Sequence, residues 1–391
     1  MWTKIKVTGI QSPIGLIDTY FLVREDRPFG EEHFHVPACL FLLLNSARGE
    51  SVGTTKSRAS DLAIFFNTLE FPSKPRQPRD WRMLTDAERS GYLMFLKEER
   101  CNSDATIRRA ISTLRAFYRF GRSSIPLHHQ SDVSFVFKNR GTSSTLGGNS
   151  ITPRRVKSNY IDRLLFDVIE AHVEGASSFT RLRNLIGIRL GRNSGLRAHE
   201  VTLPGNFDTR KLRSLIAEMH VRGETALEVY ILSRKGQKGR SIVIRKRDVA
   251  LIERFLTGPR SKRPEGDLLC RDDGLSFAIG STPASGWFRS ALVAAMPVLL
   301  QKYQDFCRNP SRKFIVAKDA LGSLGFHSGR HSYATDLVSE AYEAGTDPKH
   351  LLLLRLGHQK PTTLSAYITV EATACGRDIG RANFDIAEGV I

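Results

Sequence analysis

"LGHQKPTTLSAY", residues 356–367, sets a glycine–histidine pair ahead of a helix opened by threonine, with a tyrosine nine positions after the histidine. Leu364 and Tyr367 are three apart, so both can lie on one buried helix face, and for a lone tyrosine core packing is the simpler reading. The rest of the chain decides whether Tyr367 is also a reactive group.

Upstream, "FHSGRHSYAT" (326–335) spaces His327 and Arg330 so that one helical turn aims both at the same point. "NSGLRAHE" (193–200) places Arg197 at a helix beginning or bend, with Glu200 three residues on; alone, this reads as an exposed ion pair. Between them, "EVYILSRKGQKGRSIVIRKRD" (228–248) has two β-rich runs around a basic, glycine-containing turn. That is a hairpin pattern, and its tip offers Lys235 and Lys238.

The bulk properties suit a polyanionic partner. The 391 residues carry 58 Lys and Arg against 40 Asp and Glu, a net +18, with 41% hydrophobic and 25% charged residues. This is the composition of a soluble globular protein long enough for two domains. Its charge fits phosphates, whose neutralisation releases counterions. The basic residues are spread along the chain instead of forming one amphipathic stretch, which disfavours a membrane surface. Five cysteines without a C-x-x-C pair suggest neither a disulfide framework nor a zinc knuckle, and imply a reducing cytoplasm. The longest apolar run, "ACLFLLL" (38–44), is too short to span a bilayer.

The opening residues resist a reading. Beyond them, "TTKSRASDLAIFFNTLE" (54–70) offers a threonine cap and then Ala59, Leu62, Phe65, Phe66 and Leu69 at helical spacing. Thr85 and Glu88 form a capping box ahead of Leu93 and Leu96. In "DATIRRAISTLRAFYRFGR" (104–122), Ile107, Ile111, Leu114 and Phe117 make an apolar stripe while Arg108, Arg115 and Arg119 project elsewhere. The first third is thus expected to be a small helical bundle with a basic face. The Gly/Ser/Thr-rich segment 141–155 reads as a linker that ends in Arg154 and Arg155. After it, helices are expected at about 158–173 and 179–194, then the hairpin, then further helices beyond "SFAIGSTPASGWF" (276–288).

Common chemistries find no motif. There is no G-x-x-x-x-G-K-[ST] loop, no H-E-x-x-H and no G-x-S-x-G elbow. His33 and His35 lack an evident third ligand and suggest a surface role, and Asp272–Asp273 suggests a turn before Gly274, so no metal site is expected. What remains, in the order R, K, H-x-x-R, H, Y, is what metal-free transfer at a phosphodiester requires. Guanidinium forks grip phosphate oxygens and stay charged. A tyrosine hydroxyl can attack once its proton is removed, and a mobile lysine can return a proton to the departing hydroxyl.

"NSGLRAHE", "RKGQKGR", "HSGRHSYAT" and "LGHQKPTTLSAY" resemble, box by box and in order, the catalytic motifs of the tyrosine site-specific recombinases, the phage-integrase family. The resemblance spans most of 155–370, and the basic helical region before it is more loosely similar to the family's core-binding domain. It implies Arg197 and Arg330 as phosphate clamps, His327 and His358 as phosphate and proton-transfer groups, Lys235 as general acid with Lys238 the alternative, and Tyr367 as nucleophile. Lys56, Arg58, Arg108, Arg115, Arg119, Arg154, Arg155 and Lys238 are the expected DNA contacts. Gly329 stands where the family commonly has leucine, and a glycine there is expected to loosen the helix at Arg330.

The resulting expectation is a mainly α chain with a small β-hairpin: a mostly helical core-binding domain over 1–140, a linker over 141–155, and a mixed α+β catalytic domain over 156–391 ending in a C-terminal tail. The two domains would close around duplex DNA. The resemblance implies a homo-tetramer at specific recombination sites, with accessory proteins as possible partners; cysteine usage places the chain in the cytoplasm, and a covalent link that stores the bond energy needs no cofactor. Type IB topoisomerases and telomere resolvases would use the same chemistry, and a catalytically silent DNA-binding factor is the alternative from another class. The acidic, partly apolar tail after Tyr367 is expected to pack on a neighbouring protomer, with packing on its own domain the alternative.

Overall fold

The computed structural model describes residues 1–13, 15–24, 26, 30, 33–71, 79–124, 135, 152–233, 239–278, 282–308, 316–357 and 362–375. Its elements are β1 (Trp2–Ser12), β2 (Gly15–Arg24), α1 (Val36–Ala47), α2 (Val52–Glu70), α3 (Asp86–Glu98) and α4 (Asp104–Ser124), followed by α5 (Pro153–Ser158), α6 (Arg163–Ala171), α7 (Ser178–Asn193), α8 (Ala198–Val201) and α9 (Thr209–Val221). Then come β3 (Ala226–Ile231), β4 (Arg240–Arg245), α10 (Lys246–Thr257), α11 (Pro283–Gln301), α12 (Tyr303–Arg308), α13 (Phe326–Glu343), α14 (Pro348–Leu356) and α15 (Thr362–Ala374). The chain divides into two compact units, Met1–Thr145 and Leu146–Ile391.

The first unit is not purely helical. Its unread opening residues form an antiparallel hairpin, with register from Trp2 opposite Arg24 to Ser12 opposite Gly15 and a shift between Val7 and Ile10. Trp2, Tyr20 and Leu22 bury themselves in the same core as Leu42, Leu62, Phe65, Phe66, Leu93, Ile107, Leu114 and Phe117. The apolar stripes expected on α2, α3 and α4 therefore face one interior, while the hairpin owes its place to tertiary packing. The Thr85–Glu88 capping box is present. Helix α2, however, begins earlier than the threonines suggested: the Ser51 side chain accepts from the Thr54 amide and caps it.

In the second unit, β3 and β4 pair antiparallel from Ala226 opposite Arg245 to Ile231 opposite Arg240. Leu227, Val229 and Ile231 point inward, as do Ile242 and Ile244, joining a core built with α6, α7, α9, α10 and α11. A second cluster gathers Val156, Tyr333, Leu337, Leu352, Leu356, Leu364 and Tyr367 from α5, α13, α14 and α15. Residues 153–155, expected to close the linker, are helical instead, because Thr152 caps α5 and Pro153 takes its first turn.

Two further expectations are corrected. Gly329 does not loosen α13: a Cβ there would meet the Arg192 Cα of α7 at 3.2 Å, so the bare backbone lets the two helices approach closely. The segment after Tyr367 is not all tail, since α15 continues to Ala374 and Glu371 is buried with an oxygen 3.2 Å from the Ser339 hydroxyl. Residues 376–391 lie outside the described residues, as do 141–151.

Candidate active site

The site starts at a turn only glycine can make. Gly195 has φ of +68°, and a Cβ on it would fall 2.4 Å from Tyr333 Cδ1. This turn delivers Arg197 to the N-terminus of α8, where its Nη1 donates to Glu200 Oε1 at 2.8 Å and its backbone N–H to Oε2 at 2.8 Å. Glu200 is fully buried, so the pair is not the exposed one expected from spacing. Arg240 of β4 explains the burial: its two Nη atoms donate to the two carboxylate oxygens at 2.7 Å each, fork to fork. Burial alone would raise the Glu200 pKa, but the bonds and charge of Arg240, then the charge of Arg330, outweigh it and hold the carboxyl at about 2.

Arg240 also reaches the far end of the site. Its Nε donates to the Arg355 carbonyl at 2.9 Å, near the end of α14. Gly357 closes that helix in the left-handed conformation at φ of +61°, its N–H bonded to the Leu353 carbonyl at 3.0 Å. A side chain at 357 would press on Arg240 Cδ at 3.1 Å.

Arg330, from the first turns of α13, is 1% exposed. Its Nη1 donates to the Gly195 carbonyl and its Nη2 to the Leu356 carbonyl at 2.6 Å, with Glu200 Oε2 4.0 Å from Nη1. Each Nη carries a second hydrogen. Burial, then the Arg197 and Arg240 charges, press this guanidinium below its usual pKa, yet it stays protonated at neutral pH.

Tyr367 on α15 is 1% exposed, as is Leu364, so the core-packing reading of this tyrosine is true as well. Its hydroxyl lies 2.9 Å from His331 Nδ1. Burial pushes the phenol up to about 12, against the opposing pull of Arg330, Arg197 and Arg155. His327, one turn before His331, meets it edge-on at 4.6 Å between ring centroids. Desolvation of the ring, then Arg330, Arg197 and Arg155, lower the His327 pKa to about 4, although the residue as a whole is exposed.

Four of the six expected catalytic groups, Arg197, His327, Arg330 and Tyr367, are thus gathered by α8, α13 and α15. The other two, Lys235 and His358, lie outside the described residues, with Lys238. Glu200, Arg240 and His331 were not singled out as site members by sequence. Arg155, expected on DNA, acts electrostatically on both His327 and Tyr367.

Among the other expected DNA contacts, Arg108, Arg115 and Arg119 line one cavity of about 460 Å³ on α4 together with Ser112. Lys56 and Arg154 are exposed. Arg58 is instead half-buried and committed to Glu50 at 2.6 Å, with its guanidinium over the Phe41 ring. His35 is no surface residue: it is buried, stacks on Phe66 at 3.7 Å, and caps α1 through Nδ1. Asp272 and Asp273 do form a turn, closed by the Gly274 N–H to the Arg271 carbonyl at 3.0 Å. Among the described residues no three His, Cys, Asp or Glu side chains gather as a metal site would need, and no helix is long and apolar enough to cross a membrane.

The sequence matches no family model, and no curated protein matches it. Similar solved structures include a XerH site-specific recombinase bound to its difH substrate, 15% identical over 85% of this chain and 82% of that one, with a TM-score of 0.49. A Tn1549 transposon integrase in complex with transposon right end DNA is 15% identical over 89% of this chain and 98% of the other, also at 0.49. A XerA recombinase is 14% identical over 87% and 95%, at 0.36. These are likenesses of chain path, and what the site does is read from its own side chains.

Proposed function

We propose that this chain is a tyrosine site-specific recombinase, which breaks and rejoins DNA strands through a 3′-phosphotyrosine link. The observation that carries the reading is the meeting of Arg197 and Arg330 over one buried carboxylate, with the Tyr367 hydroxyl inside the field of both guanidiniums. Glu200 orients Arg197, and backbone carbonyls orient Arg330, so the positive charge is in place before any substrate arrives. A phosphodiester held there has its non-bridging oxygens neutralised as phosphorus becomes five-coordinate. Tyr367 Oη then gives up its proton to a base and bonds to phosphorus, the bond to the 5′ oxygen breaks, and that oxygen takes a proton from Lys235. Reversal with a partner strand's 5′-hydroxyl restores both the DNA and the phenol. The energy of the phosphodiester is kept in the covalent link, so the scheme uses no nucleotide.

The same reading makes the protein a homo-tetramer on two DNA sites, acting in the cytoplasm on DNA of a mobile element and assisted by accessory proteins. Denatured and digested after incubation with nicked duplexes, the protein should retain a nucleotide on the peptide that contains Tyr367. A nucleotide on another residue, or none, overturns the reading.

The basic cavity of α4 supplies a separate expectation. Arg108→Ala and Arg115→Ala should each weaken binding to every DNA sequence alike and flatten the dependence of log affinity on log salt by about 1. Titrations at several salt concentrations check this, and an unchanged slope would remove these arginines from the DNA surface.

A further inference from the structure

His331 directly follows Arg330 on α13 and has no part in the scheme above. It is 2% exposed, and its Nδ1 is 2.9 Å from the Tyr367 hydroxyl, which is the distance a general base must have from the proton it takes. The charged and titratable groups acting on it are His327 and Arg330 from its own helix, Arg155 from α5 and Tyr367 from α15. On α7, Arg192 is paired with Asp336 at 2.8 Å, and on α15 the buried Glu371 bonds Ser339. We infer that His331 is the general base that accepts the Tyr367 proton as the phenol attacks phosphorus. The assignment rests on the recombinase reading.

The Oη–H bond breaks and its proton passes to Nδ1, Oη bonds to phosphorus, and the 5′ oxygen leaves with a proton from the acid. Nothing is oxidised or reduced. In the return step the incoming 5′-hydroxyl gives its proton to the deprotonated acid as it bonds to phosphorus, and the imidazolium gives its proton back to the phenol that is displaced.

The geometry also ties the base to the substrate. In the DNA-free chain, burial, then His327, Arg155 and Arg330, hold the His331 ring at about 3, so it is neutral and its Nδ1 lone pair can accept from the phenol. With Tyr367 at about 12, transfer of the proton is steeply uphill, and the nucleophile is silent. A phosphodiester between the guanidiniums offsets their field. In a concerted step the negative charge comes to rest on phosphoryl oxygens instead of the phenol, and the new imidazolium gains an anionic neighbour. Deprotonation then accompanies attack and does not precede it.

The test is single-turnover adduct formation on a pool of nicked duplexes of randomised sequence, with His331→Ala and His331→Asn. Asparagine can accept the phenol's hydrogen bond but cannot take its proton. Both variants should react slower by at least about 100-fold, the lower end for general-base catalysis, while binding DNA as the wild type does. Added imidazole should restore part of the alanine variant's rate. Replacing the leaving 5′ oxygen by sulfur, which departs without a proton, should rescue Lys235→Ala but neither His331 variant. A wild-type rate in His331→Asn would reduce His331 to a holder of the hydroxyl, and rescue by sulfur would move it to the leaving-group side; either overturns the assignment. Should the alanine variant fold poorly, the asparagine variant alone decides. If the wild type itself gives no Tyr367 adduct, the recombinase reading falls first and this base with it, an outcome distinct from a reactive wild type with an equally reactive His331→Asn.

Discussion

Tyr367→Phe should bind DNA and yield no covalent product at all. The bond formed in the proposed reaction is made by Oη, which phenylalanine lacks, and the polar groups shown acting on it are the Arg330, Arg197 and Arg155 guanidiniums and the His331 imidazole. The ring itself should be kept, because phenylalanine fills the same space in the cluster of Leu364, Leu352 and Val338. The structural loss includes the hydrogen bond to His331, worth about 1 to 3 kcal/mol with Nδ1 buried. The variant should therefore melt close to the wild type, which separates loss of chemistry from loss of fold. Denaturing gels after incubation with nicked duplexes, paired with thermal melts, measure both. An adduct that survives the substitution would show that another residue attacks.

The burial of this tyrosine shows how much of the site the sequence could convey. Local patterns announced local structure: the Thr85–Glu88 box, the Ile107–Leu114 stripe, the paired β runs of 226–245, and the His327–Arg330 spacing all report on contacts within a few positions. They could not reveal what lies across the fold. Arg240 reads as one more cation in a basic turn, and only its bonds to Glu200, forty positions away, and to Arg355, 115 away, make it a brace of the site. His331 was legible as a residue next to an arginine, but its role depends on a partner 36 positions on. The N-terminal hairpin failed for a related reason: its half-buried Lys4 and exposed Lys6 and Gly9 interrupt the apolar signal, and Trp2, Tyr20 and Leu22 find their core only among residues of α1 and α2 and beyond. Gly329 misled in the opposite sense, since helix propensity prices a glycine by its own helix and not by the Arg192 backbone it must admit.

Glu200→Ala should be the most destabilising change at the site. It removes the one carboxylate that Arg240 engages with both Nη atoms, which also meets Arg197 and lies 4.0 Å from Arg330. Arg240 and Arg330 are 7% and 1% exposed, so their charges cannot turn to water. Breaking a buried ion pair by removing one partner costs about 3 to 5 kcal/mol, which in a domain of this size lowers the melting temperature by roughly 10 °C. Protonating Glu200 does the same job reversibly. Its carboxyl is held at about 2 in the fold against an ordinary value of 4.5, so its contribution to stability is complete above pH 4.5 and fades as pH falls toward 2. Thermal melts from neutral pH down through that window should show the wild type losing stability that Glu200→Gln, which keeps the shape without the charge, lacks from the start. Below the window the two should converge. Since Arg240 joins Glu200 to the Arg355 carbonyl, the Gln variant should also lose rate at saturating DNA, because the turn carrying Arg197 and the end of α14 would be less firmly braced from a common point. Parallel acid sensitivity in wild type and Gln variant would mean that the carboxylate is not the charge on which this framework rests.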